Sequence, residues 1–137
     1  MAALLEGAIQ DGLDVPPVQH QLLAAELTAV AQDGIARTVE LENMALAVSG
    51  GYGTTFEPTG RFHHIFDPHT GACANGLVDV AVIGPRATAA NGLSTAICVA
   101  GEDRAAALLA AFPGTRAIVT RPDGTAVAIP AGPAPAA

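Results

Sequence analysis

The chain has 137 residues, half of them hydrophobic, which is enough apolar material to bury the core of a single domain. Thirteen acidic residues outnumber six basic ones, all of them arginines, and the net charge is −7. Nucleic-acid surfaces need clustered Lys and Arg to neutralise phosphates, so this balance argues against DNA or RNA as a partner.

The amino-terminal segment, residues 1–34, is predicted to be helical. Leu23 and Leu27 lie at helical spacing, and Asp33-Gly34 forms a closing turn. Residues 1–10 lack the positive charge and the long apolar run of an export signal or membrane span, so neither is expected in this chain. Nothing in this segment suggests a chemistry.

From residue 35 the spacing changes to the alternation typical of strands. Strands are predicted over residues 35–40, 45–49, 52–57 and 61–66, and Pro58-Thr59-Gly60 is expected to join the last two as a hairpin turn. Gly50-Gly51 breaks the second run. Adjacent glycines let a backbone approach a ligand closely, although a bulge or a hairpin turn is the commoner reason for them.

Three of the four histidines fall in residues 61–71, which read Arg-Phe-His-His-Ile-Phe-Asp-Pro-His-Thr-Gly. Imidazoles beside a carboxylate supply a proton acceptor and a group that orients it, so the stretch suits general acid–base catalysis. Asp67-Pro68 and Gly71 predict a tight turn after the histidines. The alternative is a polar turn whose histidines are partly buried and hydrogen-bonded. A metal site built on the histidines alone is disfavoured by their spacing.

The next elements are a valine-rich strand at 77–83 and a helix at about 87–100 that is apolar nearly all round and therefore expected to be buried against the sheet. Thr88, Asn91 and Thr95 lie on one face of this helix. Their oxygen atoms suit a hard cation such as Mg²⁺, while back-bonding of the hydroxyls to carbonyls one turn earlier is the structural alternative.

The chain is predicted to finish with a helix ending at Phe112, a hairpin around Asp123-Gly124, and a disordered tail at 131–137. Cys73 and Cys98 have neither metal-pair nor redox-motif spacing and are expected to be free thiols. The predicted fold class is α+β, an antiparallel sheet with a buried helix packed on one face.

Three stretches together carry a resemblance: Ala45 to Gly50, the histidine motif from His63 to Gly71, and Ala90-Asn91-Gly92-Leu93-Ser94-Thr95-Ala96. Over residues 35–129 the chain resembles the carboxy-terminal half of the FAD:protein FMN transferase family, also called ApbE. The resemblance implies an α+β fold that binds FAD and Mg²⁺ and transfers FMN through a phosphoester bond onto a Ser or Thr of a target flavoprotein, releasing AMP. Some members hydrolyse FAD instead.

By position, the resemblance makes His64 the general base on the acceptor hydroxyl. It implies that Ile65 contacts FAD through its backbone and that Asp67 and Thr70 shape that loop. The cofactor-binding set also includes Ser49.

In the family the cation is held by an Asp and a Thr four residues later, which correspond to Asn91 and Thr95 here, and Thr88 is expected to add a backbone carbonyl. Because Asn lacks the charge of Asp, weaker Mg²⁺ binding is expected. His64 is predicted to approach the helix face bearing Asn91 and Thr95, and His63 to point elsewhere, since neighbouring residues on a strand face opposite sides.

The amino-terminal half of the family, which holds much of the flavin site, has no counterpart among these motifs. The sequence therefore predicts a fragment, a chain that needs a partner supplying that half, or a degenerate relative. A non-catalytic flavin-nucleotide-binding or assembly module is the alternative function. Family members usually work at the bacterial cell envelope.

Overall fold

The computed structural model describes residues 23–27 and 37–130. Strand β1 (Leu23–Leu27) pairs antiparallel with β2 (Arg37–Leu41) in a two-stranded sheet. The predicted helix is therefore wrong at residues 23–27, where pairing with β2 satisfies the backbone and outweighs a weak local helix preference. The rest of that predicted helix, at 1–22 and 28–34, and the predicted tail at 131–137 lie outside the described residues.

A four-stranded antiparallel sheet forms the centre of the domain, in the order β3 (Ala45–Gly50), β4 (Asp79–Gly84), β5 (Arg116–Thr120) and β6 (Ala126–Ile129). All six residues of β4 are buried. A valine-rich strand with neighbours on both sides and no solvent face is what the apolar run at this position predicts.

Helices α1 (Ala87–Ala100) and α2 (Glu102–Ala110) cover one face of this sheet. The core between the two layers is aliphatic, with helix residues packed on valines of β4 and β5; its members include Val80, Val82, Leu93, Ile97, Leu109 and Val119. The expected α+β class, with a helix over about 87–100 packed on an antiparallel sheet, is confirmed. Within the described residues no helix is both long and apolar enough to cross a membrane.

Residues 51–78 connect β3 to β4 and contain little regular structure. A single 3₁₀ turn (Gly51–Gly53) is followed by two isolated bridges, Thr55 with His63 and Phe66 with Cys73. The strands predicted at 52–57 and 61–66 are therefore wrong as regular strands, because glycine and proline interrupt the ladder. The two segments still lie side by side as a hairpin, since the Phe56 amide donates to the Phe62 carbonyl at 2.8 Å.

The turns predicted from glycine positions are present in the structure. Gly60 and Gly71 both adopt positive φ, at 73° and 70°, as a tight turn requires of a residue without Cβ. Gly124 has φ 83° and closes the last hairpin through an amide donated to the Arg121 carbonyl at 2.9 Å. The expected hairpin around Asp123-Gly124 is confirmed.

Both cysteines are free thiols, as expected. Cys98 is buried in α1, and its thiol donates to the Ser49 carbonyl at 3.3 Å. Burial first, and the nearby Asp79 carboxyl second, raise the pKa of Cys98 to about 11. This thiol therefore stays protonated near neutral pH and serves to join α1 to β3.

Candidate functional site

A cluster of hydroxyl groups joins the end of β3 to the middle of α1. The Ser49 Oγ lies 2.7 Å from the Ser94 Oγ and 2.9 Å from the Thr95 Oγ1. Both helix hydroxyls also donate to the Asn91 carbonyl, at 2.9 and 3.3 Å. The three hydroxyl groups have three protons for four oxygen–oxygen contacts. Their oxygens therefore keep lone pairs that accept no hydrogen bond within the cluster.

The helix face predicted to bind a cation is exposed. Thr88, Asn91 and Thr95 are all solvent-accessible, which corrects the expectation that α1 is buried nearly all round. The back-bonding alternative is confirmed for Thr95, whose hydroxyl reaches the carbonyl four residues earlier. Among the described residues no three His, Cys, Asp or Glu side chains come together as a metal cluster. The side chains predicted to bind a cation, Asn91 and Thr95, carry neutral oxygens.

His64, the expected base, is exposed at the surface of the hairpin. Its Nδ1 lies 3.2 Å from the Thr54 carbonyl oxygen. A carbonyl can only accept, so Nδ1 carries the ring proton and Nε2 keeps a free lone pair. Two residues away in sequence on each side, Phe62 and Phe66 are 50% and 47% exposed.

His63 has the opposite environment. It is 2% exposed, and both of its ring nitrogens are hydrogen-bonded: Nδ1 to the Ile65 amide at 3.2 Å and Nε2 to the Asn75 Oδ1 at 3.1 Å. The ring centroids of His63 and His64 are 6.4 Å apart. The two rings therefore point in different directions, as predicted: the His63 ring lies inside the protein, and the His64 ring is accessible to solvent.

Asp67 and Thr70 shape the loop that follows, as the motif predicts. The Asp67 Oδ1 accepts from the His69 amide at 2.9 Å, and its Oδ2 accepts from the Thr70 hydroxyl at 3.1 Å. The Thr70 Oγ1 in turn accepts from the Ala72 amide at 3.2 Å. The hydrogen bond from the His69 amide is the main cause that lowers the pKa of Asp67. The carboxylate therefore stays charged and holds the turn.

The hydroxyl cluster and the histidine loop are neighbours along β3. Ser49 belongs to the cluster, and Gly51, two residues later, lies directly against the His63 ring. A 3₁₀ turn thus carries the chain from the helix face to the histidines. The structure brings Ser49 together with Thr95, and Ile65 with the histidine loop, whereas the approach of His64 to Asn91 stays a prediction.

Sequence reasoning missed several residues of this region. Ser94 is fully buried beside Thr95, and Asn75 holds the His63 ring. Asp79 begins β4 with a carboxyl that is 2% exposed, and its Oδ2 has no hydrogen-bond partner in the described part of the chain. Burial raises the pKa of Asp79, and the Thr120 side chain opposes that shift. A lone acidic residue at the start of a valine strand is the signal that could have identified it.

A separate groove of about 530 Å³ runs between the two helices. It is mostly apolar and has one charged residue at its edge; its lining residues are Arg86, Thr88, Ala89, Gly92, Leu93, Ala96, Leu108 and Phe112. Thr88 therefore lies where the exposed face of α1 meets this groove.

The fold and the site define a class of protein: an α+β domain in which an exposed imidazole on a hairpin and a hydroxyl-bearing helix face lie near the end of one strand. The chain belongs to the ApbE family, whose sequence model matches residues 17–119. That match begins within the segment for which the motifs gave no counterpart.

Two curated relatives are both named FAD:protein FMN transferase. The one from Treponema pallidum is 42% identical over 90 residues, covering 64% of this chain and 25% of the relative. The one from Haemophilus influenzae is 37% identical over 96 residues, covering 69% and 28%. This chain thus spans about a quarter of the length of these relatives. Among solved structures, the ApbE protein of Thermotoga maritima is 30% identical with a TM-score of 0.69, covering 83% of this chain and 38% of that protein.

Proposed function

We propose that this chain provides the base and the cation-facing helix of an FAD:protein FMN transferase, which moves FMN from FAD to a Ser or Thr hydroxyl of a target protein. The names of the curated relatives support the activity. The observation that carries the assignment to this site is the exposed His64, whose Nδ1 is bonded to the Thr54 carbonyl so that Nε2 is free to accept a proton.

In this mechanism the acceptor oxygen attacks the phosphorus of the FMN half of the FAD diphosphate. The hydroxyl proton passes to the Nε2 of His64, a new phosphoester bond forms, and the bond to the AMP phosphate breaks, so that AMP leaves. An imidazole with a lone pair near neutral pH is suited to this proton transfer. The Thr54 carbonyl fixes the ring and stabilises the imidazolium that results.

Ile65, two residues before the Asp67 turn, is proposed to contact FAD through its backbone carbonyl, which accepts from the Ala74 amide and has a second lone pair, because its N–H is donated to the His63 Nδ1. The turn itself is held by Asp67 and Thr70, so both residues act on the flavin through the shape of the loop. Ser49 is proposed to face the cofactor from the end of β3, where its hydroxyl is shared with α1.

The proposed cation ligands are Asn91, Thr95 and the backbone of Thr88. These groups fit Mg²⁺ in chemical type, because all are oxygen donors, the neighbouring hydroxyl cluster has surplus lone pairs, and they lie on an exposed face. None is charged, so the diphosphate of FAD must supply the negative charge. Mg²⁺, when bound, neutralises that diphosphate and favours the departure of AMP.

A non-catalytic module that binds a flavin nucleotide is the second candidate. One observation favours it: the position expected to carry a carboxylate is Asn91, which weakens charge neutralisation at the diphosphate. Both candidates require FAD to bind, and only the transferase requires His64 to accept a proton.

The test combines the chain with FAD, Mg²⁺ and a candidate acceptor flavoprotein, followed by denaturation and a search for flavin fluorescence on the acceptor. Transfer that disappears in His64→Ala and persists in His69→Ala supports the transferase, since His69 is an imidazole of the same loop with no assigned role. FAD binding without transfer identifies the binding module. Absence of FAD binding contradicts both.

A further inference from the structure

The buried histidine of the pair is placed differently from a proton-transfer group. We propose that His63 is a positioning residue, which together with Asn75 and Gly51 fixes the Ile65 amide and the hairpin that presents His64. Both ring nitrogens of His63 are occupied by the chain itself, and the ring is 2% exposed. The flavin-binding consequence of this inference rests on the proposed function, whereas the positioning itself does not.

The hydrogen bonds determine the tautomer of His63. The Ile65 amide can only donate, so Nδ1 must offer a lone pair, and the proton of the neutral ring lies on Nε2. That proton is donated to the Asn75 Oδ1. The Asn75 Nδ2 donates in turn to the Arg61 and Cys73 carbonyls at 3.2 and 3.4 Å, which fixes the amide with its oxygen towards His63.

The same two segments are joined through the backbone of His63 and Ile65. The His63 amide donates to the Cys73 Sγ, and the Cys73 thiol donates to the His63 carbonyl, both at 3.4 Å. The Ala74 amide also donates to the Ile65 carbonyl, at 3.0 Å. Residues 63–65 are thus attached to residues 73–75 from the backbone and from the His63 ring, which makes the orientation of the Ile65 amide depend on that ring.

Gly51 provides the space that the His63 ring occupies. A Cβ at this position would lie 2.6 Å from the ring Cδ2 and 2.8 Å from Nε2, which no real contact allows. The φ angle of Gly51 is not in the left-handed region, so the backbone alone would accept alanine. Gly53, two residues on, offers a matched position, because a Cβ there would meet the His64 Cε1 at 3.4 Å, an ordinary contact.

The first experiment measures the ring nitrogens by ¹⁵N NMR of the wild-type chain at pH 7.5, without flavin. We expect His63 to be the Nε2–H tautomer and His64 the Nδ1–H tautomer. A His63 ring protonated on Nδ1, or one averaging between the two tautomers, would overturn the proposal, because the Ile65 amide would then have no acceptor in the ring.

The second experiment compares Gly51→Ala with Gly53→Ala, and adds Asn75→Ala as a surface change that leaves the core intact. Gly51→Ala and Asn75→Ala are each expected to shift the Ile65 amide resonance and to raise the dissociation constant of FAD about tenfold, because displacing residues 63–65 moves the Ile65 backbone that is proposed to contact FAD. Gly53→Ala should change the dissociation constant less than threefold.

An unchanged Ile65 resonance in Asn75→Ala contradicts the positioning role, and so does equal weakening of FAD binding by Gly51→Ala and Gly53→Ala. If the wild-type chain fails to bind FAD, the proposed function fails, while the tautomer and the Ile65 resonance still decide whether His63 acts as proposed.

Discussion

At the scale of single residues, two adjacent histidines have opposite environments. His63 points into the protein, where the Ile65 amide and Asn75 use both its nitrogens. His64 points out, with Nδ1 bonded to a carbonyl and Nε2 free. The proposed base and the proposed positioning group are therefore different members of the pair.

Asn91 is the residue on which cation binding should depend most. Because its side chain is exposed, Asn91→Asp should cost little stability without metal, and the added charge should strengthen Mg²⁺ binding about tenfold in the presence of FAD. Thr95→Ala should weaken it. Melting curves with and without Mg²⁺ measure this: saturating Mg²⁺ should stabilise Asn91→Asp more than the wild type, in proportion to the logarithm of the affinity. Identical Mg²⁺ responses of the two proteins would refute the metal assignment.

Asp79 should destabilise the fold at neutral pH. Its buried carboxyl has a raised pKa, so the neutral acid is preferred in the folded state, and stability should fall as pH rises from the usual carboxyl pKa through the raised pKa of the folded state. Asp79→Asn removes this titration and should raise the free energy of unfolding at pH 7 by about 1 kcal/mol, since an unpaired buried carboxylate is replaced by a neutral group. Urea unfolding at pH 4 and pH 7 measures the difference.

Asp123→Asn is the matched control for Asp79→Asn. The Asp123 Oδ1 accepts from the Thr125 amide at 2.8 Å, and this bond lowers the pKa of Asp123. The same substitution should therefore reduce stability at pH 7. A gain in both variants would show that general charge repulsion in this acidic chain, rather than burial at β4, is the cause.

At the scale of secondary-structure elements, sequence patterns predicted those whose local and tertiary signals agree. Helix α1 begins and ends where the pattern predicts, because the Gly84-Pro85 break and Gly101 bound an apolar, alanine-rich run without proline. Strand β4 follows from its uninterrupted apolar residues. Residues 52–57 have strand-like composition, yet Gly51, Gly53 and Pro58 limit their pairing to one bridge.

The parts of the site that the sequence could not predict depend on contacts between distant segments. Spacing identified Thr95 on α1, but the burial of Ser94 depends on Ser49, 45 residues earlier. Asn75 had no pattern of its own and is defined by the His63 ring. Segment 23–27 has residues compatible with helix or strand, and its pairing with β2 determines that it forms a strand.

The hairpin that presents His64 should loosen in acid. The Glu57 carboxylate accepts from the Thr59 amide at 2.7 Å and the Phe62 amide at 3.1 Å, and hydrogen bonds with Thr59 are the main cause that lowers the pKa of Glu57 to about 2. Because the folded pKa lies below the usual 4.5, this stabilisation is complete above pH 4.5 and is lost as pH falls towards 2.

Amide resonances of Thr59 and Phe62, followed by NMR across this range, should report the loss of the turn. Glu57→Gln should show at pH 6 the shifts that the wild type reaches only in acid. Resonances in the wild type that stay constant from pH 6 to pH 1 would contradict the role given to Glu57.

At the scale of the whole molecule, the four-stranded sheet and the loosely paired residues 51–78 are joined at the edge strand β3. Strand β4 lies inside the sheet, is fully buried, and packs under α1. Residues 51–78 follow β3 through the Gly51–Gly53 turn. Side-chain hydrogen bonds, such as those of Glu57, Asp67 and Asn75, stabilise their conformation. Helix α2 is tied to the last hairpin by a bidentate ion pair between Glu102 and Arg121.

This arrangement predicts how hydrogen exchange is distributed and how FAD changes it. Amides of β4 should exchange most slowly among the described residues, because their opening requires loss of the core, and residues 51–62 should exchange fastest outside the turns. FAD with Mg²⁺ should slow exchange in residues 63–76, at the end of β3 and in α1, and leave α2 and β6 unchanged, since the proposed ligands lie only in the former elements.

Exchange followed by mass spectrometry of the full chain measures both effects, and AMP in place of FAD serves as the control without a flavin. AMP should protect α1 but not residues 63–76, because the histidine loop is assigned to the flavin half of the ligand. Protection centred on Leu108 and Phe112 would instead place the ligand in the groove between the helices. That outcome would refute the assignment of the flavin to the histidine loop while leaving the order of exchange in the free protein as an independent test of the fold.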